Sequence, residues 1–157
     1  MKITLITAGK TDVPWVKEGL DLYRSRLARY VPFSLVELPQ LKNAASLSQE
    51  QVKEKEGQAL LLHIGAGDQV VLLDEKGKEL TSVQLADTLK EWMVRSSRNL
   101  VFVIGGAYGF SPDVYARADS KLSLSKMTFS HQIVRTIFAE QLYRAFTIMR
   151  GEPYHHE

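Results

Sequence analysis

Three glycines stand close together in the second half of the chain, directly after an apolar run that is typical of a buried strand. They are Gly105, Gly106 and Gly109, and they follow the sequence Leu-Val-Phe-Val-Ile at residues 100–104. Glycine lets a ligand approach the backbone closely, and the N–H groups at a helix start can bind an anion or a polar edge. The cluster therefore predicts either a ligand-binding turn or a tight turn that needs positive φ.

A histidine and an arginine at the start of the last long apolar segment form a second candidate for chemistry. His131 directly follows the loop at residues 125–130, and Arg135 comes four residues later, on the same face of a predicted helix. The imidazole can act as a general base, or it can hydrogen-bond the turn without any chemical role. Both roles stay open for His131.

Several common catalytic patterns are absent from the sequence. It has no Gly-x-Ser-x-Gly, no phosphate-binding loop ending in Lys-Ser/Thr and no His-Glu-x-x-His. The absence of cysteine excludes disulfides, thiolate zinc sites and cysteine nucleophiles. No metal site is expected, because the four histidines do not share a metal-ligand spacing with carboxylates. A nicotinamide oxidoreductase ranks low, since its glycine fingerprint should close the first strand and not the fourth.

The composition is that of one globular domain. The 157 residues are 45% hydrophobic and 24% charged, which is typical of a single compact domain. No segment approaches the roughly 20 apolar residues of a membrane span, and the apolar N-terminal run is too short for a signal peptide. We therefore expect a single domain over residues 1–157, in a cytoplasmic protein without membrane association.

Charge is distributed unevenly along the chain, although the net charge is only +2. Residues 38–91 carry six basic and nine acidic side chains, whereas residues 121–150 carry five basic and one acidic. Residues 1–30 add six basic and three acidic side chains. Either this is ordinary surface variation, or an anionic partner contacts the two basic ends.

Strand-like and helix-like segments alternate along the sequence. Strands are predicted at residues 2–8, 33–38, 69–73, 100–104 and 121–124. The helices between them are predicted to begin at Thr11 or Asp12, at Ser46 or Ser48, at Thr81 or Ser82, and at Ser111. A long helix is predicted over about residues 131–150. This alternation predicts an α/β fold with a mostly parallel sheet and helices on both faces.

The last predicted helix is apolar on more than one face. Its apolar residues are Ile133, Val134, Ile137, Phe138, Leu142, Ala145, Phe146, Ile148 and Met149. A surface helix normally buries one apolar stripe, so the additional face must be covered either by a second subunit or by the core of the same chain. We favour a homodimer that forms through this helix.

Short sequence blocks that span nearly the whole chain resemble one known family. They include residues 53–57 (Lys-Glu-Lys-Glu-Gly), 102–106 (Phe-Val-Ile-Gly-Gly), 122–129 (Leu-Ser-Leu-Ser-Lys-Met-Thr-Phe), 140–145 (Glu-Gln-Leu-Tyr-Arg-Ala) and 151–155 (Gly-Glu-Pro-Tyr-His). In this order and at this spacing they are similar to the RlmH-type large-subunit ribosomal RNA methyltransferases of the SPOUT superfamily.

The resemblance implies properties that the residues alone do not. It implies a deep trefoil knot in the C-terminal part, with knot and cofactor site in about residues 70–157. It also implies a homodimer that binds S-adenosylmethionine and methylates N3 of a pseudouridine in 23S ribosomal RNA, on the assembled ribosome. The alternative hypothesis is a non-catalytic RNA-binding or ribosome-binding module on the same fold.

Carried over to this chain, the resemblance assigns the cofactor contacts to Leu73, Gly105, Leu124, Ser125, Lys126, Met127, Thr128 and Phe129. The candidates for removing the N3 proton are His131, Tyr154 and His155. Arg135 and Arg144 would hold phosphate or stabilise the developing anion of the base. On the first helix, Lys17, Arg24, Arg26 and Arg29 are candidate phosphate contacts.

Overall fold

All the paired strands in the main sheet run parallel. The computed structural model describes residues 1–156, and its strands are β1 (Ile3–Thr7), β2 (Phe33–Glu37), β3 (Gln69–Glu79), β4 (Leu100–Ile104) and β5 (Ser120–Ser123). Their order in the sheet is β2-β1-β4-β3-β5. Strand β4 lies at the centre and is buried along its whole length, as its uninterrupted apolar sequence predicts. The α/β class is therefore confirmed.

Helices cover both faces of the sheet, as predicted. They are α1 (Pro14–Leu27), α2 (Gln49–Leu61), α3 (Ser82–Arg95), α4 (Pro112–Arg117) and α5 (Ile133–Met149), with a short 3-10 turn at Ala44–Ser46. One hydrophobic cluster joins the sheet to α1, α3 and α5, and a second joins its other face to α2 and α4. Within residues 1–156, no helix combines the length and the apolar content that crossing a bilayer requires.

Three of the predicted helix starts carry a capping side chain. Ser48 and Thr81 each accept a hydrogen bond from the backbone N–H three residues later, where a glutamine returns a bond to the cap. Ser111 accepts one from the backbone N–H of Val114. Helix starts defined by such local exchanges can be predicted from sequence spacing alone.

The predicted cap of the first helix is wrong. Helix α1 begins after Val13, whose side chain makes no capping hydrogen bond. Thr11 Oγ1 instead accepts a hydrogen bond from the guanidinium of Arg135 at 2.9 Å, and the backbone N–H of Asp12 donates to the side-chain oxygen of Gln132. Thr11 and Asp12 therefore tie the loop after β1 to the start of α5.

Helix α5 lies between α1 and α3 on one face of the sheet. Phe138, Leu142 and Ala145 are completely buried there, and the ring of Phe138 lies 4.8 Å from that of Phe102 on β4. The two neighbouring helices therefore cover part of the additional apolar surface of α5 within one chain. The homodimer remains a prediction.

Strand β3 continues beyond its predicted end after an interruption. Leu122 of β5 is the register partner of both Leu73 and Lys78, so residues 74–77 bulge out of the ladder between them. Bulges redirect side chains and are frequent beside binding sites. At Gly77 an added Cβ would lie 2.6 Å from the backbone nitrogen of Leu122. The close approach of the bulge to β5 therefore requires glycine.

We expect Gly77→Ala to lower the free energy of unfolding by about 1–3 kcal/mol, because the new methyl group must displace the β5 backbone and not a flexible side chain. Gly67→Ala is the matched control, since no atom lies within 4 Å of its added Cβ, and should change stability by less than about 0.5 kcal/mol. Urea unfolding followed by circular dichroism measures both variants. Equal stability of the two would contradict the close approach.

Arg135 fastens the start of α5 to the end of β1. Its side chain is 0% exposed, and it donates hydrogen bonds to the carbonyl oxygens of His131 at 2.9 Å and Gly9 at 3.0 Å. Burial lowers the pKa of Arg135, and the carboxylate of Glu37, 3.6 Å away, opposes that effect. Nε and Nη1 of the guanidinium thus donate to backbone and side-chain acceptors, whereas Nη2 is buried without a hydrogen-bond partner among the described residues.

We expect Arg135→Ala to destabilise the chain by about 2–4 kcal/mol, because several hydrogen bonds from a buried charged donor are lost together. The control is Arg95→Ala, which removes an exposed ion pair with Glu91 on α3 and should cost less than about 1 kcal/mol. Thermal and urea unfolding report both effects. A stable Arg135→Ala variant would refute the fastening role.

Candidate functional site

A cavity of about 570 Å³ opens at the carboxyl ends of β4 and β5, beside the bulge that interrupts β3. Ligands of parallel α/β sheets bind at this edge, and the volume falls within the range of small-molecule sites. Three segments form most of its wall, namely residues 73–76 of β3 with its bulge and the loops at residues 105–109 and 124–129. Gln49 and Lys53 of α2, Tyr115 of α4 and the start of α5 complete it.

Seven of the eight predicted cofactor residues line this cavity, although they come from three separate parts of the sequence. The seven are Leu73, Gly105, Leu124, Ser125, Met127, Thr128 and Phe129. Lys126 belongs to the same loop but does not line the cavity. The parallel register brings these segments together, because Leu73 is paired with both Ile104 and Leu122.

Short-range hydrogen bonds shape the loop at residues 124–129. The hydroxyl of Ser123 donates to the carbonyl oxygen of Ser125 at 2.9 Å, and the hydroxyl of Ser125 accepts from the backbone N–H of Met127 at 2.9 Å. Thr128 Oγ1 donates to the carboxylate of Glu75 at 3.4 Å. This last contact joins the loop after β5 to the bulge of β3 across the cavity wall.

The glycine cluster forms the predicted tight turn, whereas its ligand-binding role remains a prediction. Gly109 has a φ of +82°, and its N–H donates to the carbonyl oxygen of Gly106 at 3.2 Å, which closes a tight turn. The same turn lines the cavity. An added Cβ at Gly106 would lie 2.5 Å from a carboxylate oxygen of Glu56 on α2, and one at Gly105 would lie 3.1 Å from the ring of Phe110.

The wall also carries ionisable groups that the sequence analysis does not single out. The hydroxyl of Tyr115 donates to the carboxylate of Asp74, and Lys53 pairs with Glu50 at 2.9 Å. Burial and then the hydrogen bond to Asp74 raise the pKa of Tyr115. Lys53 lies in one of the blocks that carry the family resemblance, whereas no sequence pattern points to Tyr115.

Of the predicted catalytic residues His131, Arg135, Tyr154 and His155, only His131 lines the cavity. Arg135 is enclosed beneath the loop after β1. Tyr154 and His155 pack against the middle of α5, outside the wall of this chain's own cavity. These four residues therefore lie in three separate places in the structure.

The C-terminal segment packs against an ion pair on α5. Arg144 and Glu140 pair at 3.0 Å, one turn apart on the helix. Arg144 Nη1 lies 3.1 Å from Nδ1 of His155, and its guanidinium lies 4.7 Å from the ring centre of Tyr154. Tyr154 also hydrogen-bonds Glu140 at 3.4 Å, and burial raises the pKa of its hydroxyl. The four side chains form one polar cluster.

No group of three or more His, Asp or Glu side chains that could hold a metal ion occurs in the part of the chain that the structure describes, residues 1–156. The wall of the cavity instead combines backbone polar groups, apolar side chains and a few charges. This is the usual chemistry of a site for an organic molecule.

Known proteins match this chain over its full length or nearly so. The family model described as "Predicted SPOUT methyltransferase" matches residues 1–155. Relatives from Parabacteroides distasonis, Flavobacterium johnsoniae and Bacteroides thetaiotaomicron are 54%, 51% and 50% identical over 157 residues, with 100% of each chain covered. Each carries the name "Ribosomal RNA large subunit methyltransferase H". The chain belongs to the SPOUT methyltransferase family.

Proposed function

We propose that this chain methylates N3 of a pseudouridine in 23S ribosomal RNA, with S-adenosylmethionine as the methyl donor and the assembled ribosome as the substrate. The observation that carries the proposal is the cavity, whose wall contains seven of the eight residues assigned to the donor. The names of the relatives support large-subunit ribosomal RNA as the substrate class. The C-terminal trefoil knot stays part of this proposal.

The residues of the cavity suit a nucleoside that bears a charged sulfur. Ile104, Leu122 and Leu124 offer apolar surface for a purine ring, and the backbone of the loop at residues 124–129 offers donors and acceptors for its edge. The turn at residues 105–109 lines the cavity, and its glycines have no side chains that would keep a ligand away from the backbone. When bound, the donor supplies an activated methyl group, so the main tasks of the protein are orientation and removal of a proton.

The proton on N3 must leave when the methyl group is transferred, and it is bound at neutral pH. A side chain that titrates near neutrality is suited to accept it. His131 lines the cavity of its own chain and is therefore the candidate base within one subunit. Tyr154 and His155 lie outside that wall, so in our proposal they act in the cavity of a second subunit. Arg144 then accompanies them and can stabilise the negative charge on the base.

A homodimer is supported by exposed apolar side chains beside α5. Trp15 and Leu22 are 62% and 47% exposed, and their spacing of two helical turns places them on the same face of α1. Helix α1 packs directly against α5, where the added Cβ of Gly19 would meet Thr136. We propose that this face of α1 and the adjoining part of α5 form the subunit interface.

The basic residues of α1 and of the turn that follows it, where Arg29 lies, divide into two groups. Arg24 pairs with Asp21 at 3.6 Å, and the guanidinium of Arg26 stacks on the rings of Tyr23 and Tyr143. Lys17 and Arg29 are exposed to solvent. We propose that Lys17 and Arg29 contact the RNA phosphates, whereas Arg24 and Arg26 mainly hold the helix surface in place.

The function is tested with methyl-labelled donor supplied to whole ribosomes, separate subunits and protein-free RNA. We expect label only in whole ribosomes, at a single pseudouridine whose added mass maps to N3. Gly105→Val should abolish donor binding in calorimetry, because its side chain would enter the space beside Phe110 and the donor.

Gly67→Val is the matched control, since its added Cβ meets no atom within 4 Å. A wild-type chain that binds ribosomes but takes up no donor would instead support the alternative of a non-catalytic RNA-binding or ribosome-binding module.

The position of the C-terminal segment is tested by co-expressing two defective chains, Gly105→Val and His155→Ala, with different affinity tags. If the segment acts in the partner's cavity, mixed dimers contain one complete site, and a statistical mixture should recover about one quarter of wild-type turnover. His156→Ala, at the neighbouring exposed histidine, should behave as wild type. No recovery above the separate variants would show that the segment does not act across a dimer.

A further inference from the structure

Asp74 lies at the start of the β3 bulge, and both oxygens of its half-buried carboxylate are held in place. One accepts a hydrogen bond from the hydroxyl of Tyr115. The other accepts one from the backbone N–H of Lys76 at 3.0 Å. Each carboxylate oxygen can accept a second hydrogen bond. Asp74 therefore presents a negative charge of fixed position to the cavity, with acceptor capacity left over.

The cations around Asp74 are directed to other partners or to solvent. Lys53 pairs with Glu50, and Lys76 is exposed. The ammonium of Lys121 lies over the ring of Tyr115, 5.6 Å from its centre. Within residues 1–156, the ion pairs do not include Asp74. Its charge is thus not neutralised by direct pairing.

Asp74 is one of two carboxylates that act on Tyr115. The charges of Asp74 and Glu75 both disfavour ionisation of Tyr115, in addition to the larger effect of burial. Glu75 lines the same wall but is exposed, so water screens its charge more strongly. Of the two acidic side chains in the cavity wall, the half-buried Asp74 is therefore the one that water screens less.

We infer that Asp74, oriented by Tyr115, makes the cavity prefer the cationic methyl donor over its neutral thioether product. The inference rests on the proposed function, since it requires a sulfonium donor. When the methyl group moves to N3, the sulfur keeps the electron pair of the broken carbon–sulfur bond and loses its positive charge. The N3 proton passes to a base. A fixed carboxylate stabilises the donor and loses this attraction when the product forms, which favours release of the product.

The test is calorimetric titration of the full chain with S-adenosylmethionine and with S-adenosylhomocysteine, which have nearly the same shape. Asp74→Asn keeps an acceptor for Tyr115 and removes the charge. We expect it to weaken donor binding about tenfold, as for a partly screened charge pair, and to change product binding less than about twofold. Tyr115→Phe should lower the preference for the donor by a smaller factor.

The matched control is Glu79→Gln, which makes the same change of charge at an exposed residue of β3 that does not line the cavity. It should leave both affinities unchanged. Raising the salt concentration should reduce the preference of the wild-type chain for the donor, which gives a measurement that does not depend on any variant folding.

Two outcomes separate this inference from the proposed function. If the wild-type chain binds both compounds and Asp74→Asn leaves their ratio unchanged, the inference is wrong and the proposed function stands. If the wild-type chain binds neither compound, the proposed function fails, and the inference fails with it. A ratio that falls in Asp74→Asn but not in Glu79→Gln supports both.

Discussion

The parallel pairing of β3, β4 and β5 is the constraint on which the site depends. It places Leu73, Ile104 and Leu122 in register at one edge of the sheet, although they are widely separated in the sequence. Beyond these residues, the bulge of β3 and the loops after β4 and β5 line the same cavity. The bulge at residues 74–77 is part of this arrangement, because its glycine lets the backbone of β3 lie against β5 before the ladder resumes. A small sheet thereby forms a site from segments that no local interaction would bring together.

The start of α5 depends on the same edge of the sheet. Arg135 binds the carbonyl oxygen of Gly9 and the hydroxyl of Thr11, so the loop after β1 and the helix hold each other in place. His131, whose carbonyl oxygen accepts from Arg135, is thereby held at the cavity wall. An arginine that resembles a catalytic residue in the sequence thus has a clear positional role in the structure.

The elements could be predicted from the sequence where local chemistry defines them. The apolar run of β4 and the capping boxes at Ser48 and Thr81 are examples, because their partners lie within a few residues. The order of the strands and the bulge of β3 could not, since they depend on contacts between distant segments. The cap of α1 was mispredicted for the same reason, because the side chain of Thr11 bonds a residue more than a hundred positions away.

The candidate site was predictable mainly through the family resemblance. The glycine cluster alone leaves a tight turn and a ligand site equally open, and nothing in the pattern around Tyr115 predicts its bond to Asp74. A crystal structure of the chain with S-adenosylhomocysteine would show whether this cavity is the donor site. We expect the nucleoside to lie between residues 73–76 of β3 and the loops at residues 105–109 and 124–129. A ligand bound elsewhere, or no ligand at a saturating concentration, would contradict it.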